Sequence, residues 1–372
     1  MMSSNPRCAH LVRVANQLVE RLPDPDVYAA FLFGSAAWGD ADAASDLDIM
    51  LLLDHPAGYR QVARVRVADL LDEAPPDGPR FADLDRIAVA TFLEAIDRGD
   101  WGHRVVHSVI LMDTNDFYAR LRARVTDAYL HPSAHAARFE QKEEQAEWQC
   151  AAAVAALDQD DRLAALHARL ALQKAGAAVI EGGGHRISPS HFIESLDAAL
   201  LRSAPDLFTS CRAALALNAA DEAVRRSLRA YDAFAVALAE WVERSDLGAR
   251  LSAEDLAWAR FSYGEQTYEE IAHKVAALNT EARRPALLFY LDGLLQVPIR
   301  INVGKIFSLR ATGEAARLTI RDFHLALGQE PTLYDEWGAA LRLSTEHARI
   351  LDAVNLAGQL LAVGRGALEV GA

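Results

Sequence analysis

The chain has 372 residues, 51% of them hydrophobic, and a formal net charge of −14 at pH 7. It is therefore globular and long enough for two domains, and its acidic balance disfavours a broad grip on nucleic acid, where cationic contacts to phosphate dominate the affinity. The cysteines, Cys8, Cys150 and Cys211, are too widely spaced for a disulfide framework or a zinc motif. No apolar run reaches the roughly 18 residues of a membrane span, and the chain starts without a signal-peptide segment, so we expect a cytoplasmic protein.

The first 130 residues alternate between helical and extended patterns. Apolar spacing over residues 9–21 predicts a helix, which ends at a Pro-Asp-Pro-Asp turn. Beyond it we expect strands at 27–33, 46–53, 81–90 and 107–113, and helices at 59–74, 91–99 and 115–130. This order is typical of a mixed sheet with flanking helices.

From about residue 134 onward, nearly every stretch has helical spacing and is rich in Ala, Leu, Glu and Arg. The exception is 291–307, where a helix could give way to an extended segment. His131-Pro132-Ser133 is the expected connection between the two parts. The sequence therefore predicts an α+β fold, with a mixed-sheet domain at 1–130 and an all-helical domain at 134–372.

The main candidate functional residues lie in the stretch "FLFGSAAWGDADAASDLDIM", residues 31–50. Gly34 and Ser35 follow a strand and lead into a helix, which predicts backbone N–H groups and a hydroxyl directed at an anion. Asp46 and Asp48 are two apart on the next strand, so both carboxylates lie on one face. Hard oxygen ligands beside a phosphate cradle are what Mg²⁺ prefers.

This pattern resembles the DNA polymerase beta-like nucleotidyltransferase superfamily, whose signature is a strand, Gly-Ser, a loop of about ten residues, and then Asp-apolar-Asp/Glu-apolar. Ser45 completes the Ser-Asp-x-Asp form of the bacterial branch. The long helical second half is similar in layout to kanamycin nucleotidyltransferase and the streptomycin/spectinomycin adenylyltransferases. In those families the helical domain closes over the nucleotide and shapes the acceptor site.

The resemblance implies a third carboxylate on a neighbouring strand, and "PRFADLDRIAVAT" offers Asp83 and Asp85. We favour Asp85, because four residues of strand and then a helix follow it. The family often has an Arg in the Gly-Ser loop, whereas "GSAAWGDADAAS" contains no basic residue. Lys174 and Arg169 of the helical half are candidates to contact the triphosphate instead, and Trp38 is a candidate to cover the base or sugar or to pack between the halves.

The implied activity is transfer of an NMP from an NTP, with ATP as our guess, to a hydroxyl acceptor with release of pyrophosphate. Asp46, Asp48 and Asp85 would bind Mg²⁺, or Mn²⁺, while Gly34, Ser35, Ser45 and Lys174 would bind the nucleotide. A small hydroxylated acceptor suits the acidic balance. Two alternatives stay open: nucleotide addition to RNA or DNA ends, and a non-catalytic nucleotide-binding module of the toxin–antitoxin kind.

Overall fold

The computed structural model describes residues 5–22, 26–71, 78–97, 101–185, 187–188, 190–201, 204–244, 261, 264–296, 320–328 and 331–371. These residues form two compact units. The first contains those of 5–131 together with those of 261–277, and the second contains those of 132–244 and 278–371. None of the helices in these ranges combines the length and the apolar character needed to cross a membrane.

The first unit alternates helices and strands. Along the chain these are α1 (Pro6–Arg21), β1 (Val27–Phe33), α2 (Gly34–Trp38), β2 (Leu47–Leu53), β3 (Arg60–Arg66), α3 (Val67–Leu70), β4 (Phe81–Ala88), α4 (Val89–Asp97), α5 (Gly102–Val106), β5 (Val109–Asp113) and α6 (Phe117–Tyr129). A 3₁₀ turn, Thr114–Asp116, links β5 to α6.

The later elements described are all helical. They are α7 (Pro132–Ala156), α8 (Asp161–Gly182), α9 (Phe192–Leu200), α10 (Pro205–Ala214), α11 (Asp221–Arg244), α12 (Glu265–Leu278), α13 (Arg284–Leu295), α14 (Ile320–Leu327), α15 (Pro331–Ala340) and α16 (His347–Gly371). The predicted fold class, a mixed sheet followed by a helical region, is confirmed. The segment 297–307, for which the sequence left helix and extended chain open, lies outside the described residues.

The five strands form one sheet in the order β3-β4-β2-β1-β5. β2 and β4 run parallel, and the other neighbouring pairs are antiparallel. Alternation along β2 separates two apolar layers. Leu47, Ile49 and Leu51 pack with α1 on one face, whereas Met50 and Leu52 pack with aromatic residues of α4 and α6 on the other.

One predicted element is wrong: residues 60–66 form the edge strand β3 and not part of a helix at 59–74. β3 pairs antiparallel with β4, which sets Arg64 opposite Asp83 and Val62 opposite Asp85. Across this pair of strands, Arg60 and Arg64 neutralise the two aspartates of β4. Local propensity could not reveal this pairing, because β4 lies about twenty residues further along the chain.

The boundaries between the two units lie at the start of α7 and within α12. His131 ends the first unit and Pro132 begins α7, whereas the residues of α12 up to Ala277 belong by their contacts to the first unit. The second unit is built around α8, whose side chains from Leu163 to Glu181 are almost all buried. α7 and α16 pack against it.

Candidate active site

Acidic side chains gather where β2 begins. In the parallel register of β2 and β4, Asp48 lies opposite Asp83 and Met50 opposite Asp85. Side chains two residues apart on a strand point to the same face of the sheet. Asp46, Asp48, Asp83 and Asp85 therefore lie on the face of Met50, which carries the aromatic layer. Asp83 therefore lies beside Asp48, and Asp85 lies two residues further along β4.

Burial and mutual repulsion decide the protonation of this group. Burial, followed by the charges of Asp46 and Asp83, holds the pKa of Asp48 well above its usual range. Burial also raises the pKa of Asp83, although Arg64 opposes it. Asp46 behaves differently: burial opposes its ionisation, but nearby Lys274 and Arg64 outweigh burial and lower its pKa.

Gly34 is required by the shape of the turn. Its φ is +70°, in the left-handed region, and a Cβ at this position would overlap the carboxylate of Asp48. The backbone of the Gly-Ser turn thus lies directly against the second aspartate of the motif. Ser35 follows in the short helix α2 and is half-buried.

Two cations, Arg64 and Lys274, and a further acid, Glu270, lie close to Asp46 and Asp83. Arg64 donates two hydrogen bonds of 2.6 Å to the Asp83 carboxylate, and its Nη2 lies 4.0 Å from Asp46 Oδ2. From α12, Glu270 forms an ion pair with Arg64, and Lys274 Nζ lies 3.5 Å from Asp46 Oδ2. Burial is the main reason that the pKa of Glu270 rises to about 7.

Sequence reasoning missed Arg64, Glu270 and Lys274. Arg64 lay in a segment predicted as helix, and α12 is more than 200 residues from the motif. The i,i+4 spacing of Glu270 and Lys274 is visible in the sequence, but that pattern by itself is typical of any solvated helix face.

Asp85 belongs to a different cluster. It accepts hydrogen bonds from Arg60 Nε at 3.1 Å and Nη2 at 3.0 Å, and Arg104 Nη1 lies 3.6 Å away. Both guanidinium groups stack on the ring of Trp101, with their Cζ atoms 5.0 and 5.4 Å from its centroid. The register thus favours Asp83, and not the preferred Asp85, as the neighbour of Asp48.

Two residues predicted to bind nucleotide have structural contacts. Ser45 is buried, and its hydroxyl donates to Asp42 Oδ1 at 3.2 Å and accepts from the Asp42 N–H at 2.9 Å, which stabilises the loop before β2. Lys174 is half-buried on α8 of the second unit. Contact of either residue with nucleotide stays a prediction.

The remaining two candidates pack locally. Arg169 of the second unit forms an ion pair with Asp292 and donates to the Leu215 carbonyl at 3.1 Å, so its charge is already compensated. Trp38 lies edge-on to His103 and His107, with ring centroids 6.5 and 6.3 Å apart.

The donor set suits a hard divalent cation, although the acids do not enclose one as they stand. No three His, Cys, Asp or Glu side chains in the described ranges form a group that could hold a metal ion. Arg64 reaches both Asp83 and Asp46. Nevertheless, carboxylate oxygens are the ligands that Mg²⁺ and Mn²⁺ favour. A divalent cation would also offset the burial and the repulsion that raise the pKa of Asp48.

The Gly-Ser turn, the paired aspartates and strands β1 to β4 all lie within residues 11–90. Residues 11–90 match the family described as "Nucleotidyltransferase domain", so this part of the chain is such a domain and the protein is a transferase whose generic reaction is NMP transfer. A solved nucleotidyltransferase-like protein from Exiguobacterium sibiricum 255-15 is similar at 9% identity, over 82% of this chain and 91% of that chain. The TM-score of this pair is 0.34. None of the curated proteins matches the sequence significantly.

Proposed function

We propose that the protein transfers an NMP from an NTP, with ATP as the proposed donor, to a hydroxyl group of a small molecule and releases pyrophosphate. The observation that supports this most is the placement of Asp46 and Asp83 near Asp48, whose carboxylate lies against Gly34. The acidic composition, 52 acidic against 38 basic side chains, supports a small acceptor over a nucleic acid.

Asp46 and Asp48 would hold a divalent cation, Mg²⁺ or Mn²⁺, and we propose Asp83 as the third carboxylate. When bound, the cation would neutralise phosphate charge and lower the pKa of the acceptor hydroxyl. The chain's own contribution is positioning. Gly34 lets the backbone approach the phosphates closely, and the aspartates fix the reacting groups in one orientation.

The carboxylate assignment is tested by Mn²⁺ titration of the purified protein, with turnover measured in parallel. Asp46→Asn, Asp48→Asn and Asp83→Asn should each weaken Mn²⁺ binding and slow transfer by roughly 10² or more, the scale of losing an essential catalytic group. Asp54→Asn is the matched control, because Asp54 directly follows β2 and is exposed. Normal Mn²⁺ affinity in the Asp46 variant would refute the metal site.

The acceptor is tested with α-labelled ATP, CTP, GTP and UTP, each with Mg²⁺ or Mn²⁺. Candidate acceptors are small hydroxylated compounds such as aminoglycosides, together with tRNA and primed DNA. Label on a small compound that disappears in Asp46→Asn supports the proposal. Label on RNA or DNA ends would replace it with the end-addition reaction.

A further inference from the structure

The Gly34-Ser35 turn has no cation of its own. No Lys or Arg occurs between Arg21 and Arg60 in the sequence, while aspartates crowd the same sheet face. A nucleoside triphosphate brings further negative charge to this place. Under the proposed function, on which this inference rests, a cation from another element must therefore face the turn.

Arg104, on α5, stands at the turn. Its Cζ lies 4.9 Å from the centroid of the Phe33 ring, and Phe33 directly precedes Gly34. After Lys274, whose effect is larger, Arg104 is the second cation that acts on Asp48, whose carboxylate touches Gly34. The side chain is 25% exposed, so a ligand can reach it.

Asp85 holds this arginine loosely. The 3.6 Å between Arg104 Nη1 and Asp85 Oδ2 is an ion pair and not a hydrogen bond, since the hydrogen bonds that Asp85 accepts come from Arg60. Trp101 and Phe33 provide flat surfaces for the Arg104 guanidinium. Arg64, by contrast, forms close ion pairs with Asp83 and Glu270.

We propose that Arg104 binds the polyphosphate of the nucleotide beside Gly34 and Ser35, and that Asp85 is a positioning residue that holds Arg104 through a shared cluster with Arg60 and Trp101. A guanidinium can donate to two phosphate oxygens at once, which suits this role. Asp85 thereby acquires a part in nucleotide binding without being a metal ligand.

The test is calorimetric binding of inorganic tripolyphosphate with Mn²⁺ to the full-length protein, because this probe carries no base. Arg104→Gln should weaken tripolyphosphate binding about 10- to 100-fold, the scale of losing charge-assisted hydrogen bonds, and leave the affinity for Mn²⁺ alone at or above the wild-type value. Arg104→Lys should keep part of the affinity. Asp85→Asn should weaken tripolyphosphate binding less than Arg104→Gln, again without weakening Mn²⁺. Arg86→Gln, one residue from Asp85 and on the opposite sheet face, should bind like wild type.

Wild-type affinity for tripolyphosphate in Arg104→Gln would overturn the inference. If that variant does not fold, Asp85→Asn provides the test, and full tripolyphosphate affinity in Asp85→Asn would overturn the positioning role. Loss of Mn²⁺ binding in Asp85→Asn would overturn it too, since Asp85 would then be a metal ligand. Failure of the proposed function gives a different result: wild type would bind neither probe, or Asp46→Asn would bind Mn²⁺ normally.

Discussion

At the scale of single residues, the site depends on a close approach between backbone and carboxylate. Gly34 has a left-handed φ and lies against Asp48, so two separate constraints favour glycine there. Gly58 has a φ of +89° but nothing within 4 Å of the position where a Cβ would stand. A substitution at Gly58 measures backbone strain alone, whereas the same substitution at Gly34 adds displacement of the Asp48 carboxylate.

Gly34→Ala should abolish Mn²⁺ binding and NMP transfer, because the new methyl group must push the Asp48 carboxylate away. Gly58→Ala should cost only the strain of a left-handed alanine, roughly 1–2 kcal/mol of unfolding free energy, and keep the wild-type affinity. Mn²⁺ titration and urea unfolding of both variants measure the two effects. Equal Mn²⁺ affinity in the two variants would contradict the proposed contact.

At the scale of elements, a buried hydrogen bond between α7 and α8 contains a titratable imidazole. His167 on α8 is buried, and its Nδ1 lies 2.7 Å from Gln149 Oε1 on α7, which requires a proton on Nδ1. Burial, with a smaller contribution from His324, lowers the pKa of His167 to about 4. The folded second unit therefore keeps this imidazole neutral under mildly acidic conditions in which the unfolded chain takes up a proton.

This difference predicts that acid weakens the packing of α8. Between the ordinary pKa of histidine, about 6.5, and the folded value of about 4, the unfolded state binds the extra proton, so stability falls as the pH drops through that window. Between pH 7 and pH 5 the loss should be about 2 kcal/mol. Hydrogen exchange of α8 amides, corrected for intrinsic rates, measures it.

In that experiment, His167→Gln should remove most of the pH dependence. His185→Gln, which changes an exposed histidine just beyond α8, should keep it. An unchanged pH dependence in His167→Gln would assign the effect to another group.

At the scale of the whole molecule, the first unit is assembled from distant parts of the chain. Glu270 and Lys274 of α12 contact Arg64 and Asp46, and the Cζ of Arg64 lies 5.1 Å from the Phe261 ring. Arg64 is only 8% exposed, so its charge depends on these partners. The nucleotidyltransferase domain as matched, residues 11–90, therefore lacks contacts that its own acidic face requires.

A fragment of residues 1–131 should accordingly be unstable by itself. Joining residues 261–278 to it through a flexible linker should restore stability by about 3–5 kcal/mol, the cost of leaving a buried ion pair without one partner. Thermal and urea unfolding of the two fragments compare them directly. A fragment of 1–131 as stable as the linked chain would show that α12 is dispensable for the first unit.

The sequence by itself determined the parts of the site that depend on local geometry. Gly34 and Ser35 at a strand end, and Asp46 and Asp48 two residues apart on the next strand, could be read from turn chemistry and from the two-residue period of a strand. The mixed sheet and the helical second half followed from the hydrophobic periods, and residues 11–90 are a nucleotidyltransferase domain.

Only the tertiary structure decided which other groups surround those aspartates. Our proposal of Asp83 rather than Asp85 as the third carboxylate depends on the register between β2 and β4, which is set by packing across the whole sheet. Arg64 required the pairing of β3, and Lys274 required α12 to pack on a unit more than 200 residues earlier in the chain. Such contacts join residues that local propensity cannot relate, because their energy comes from burial and charge in the assembled fold.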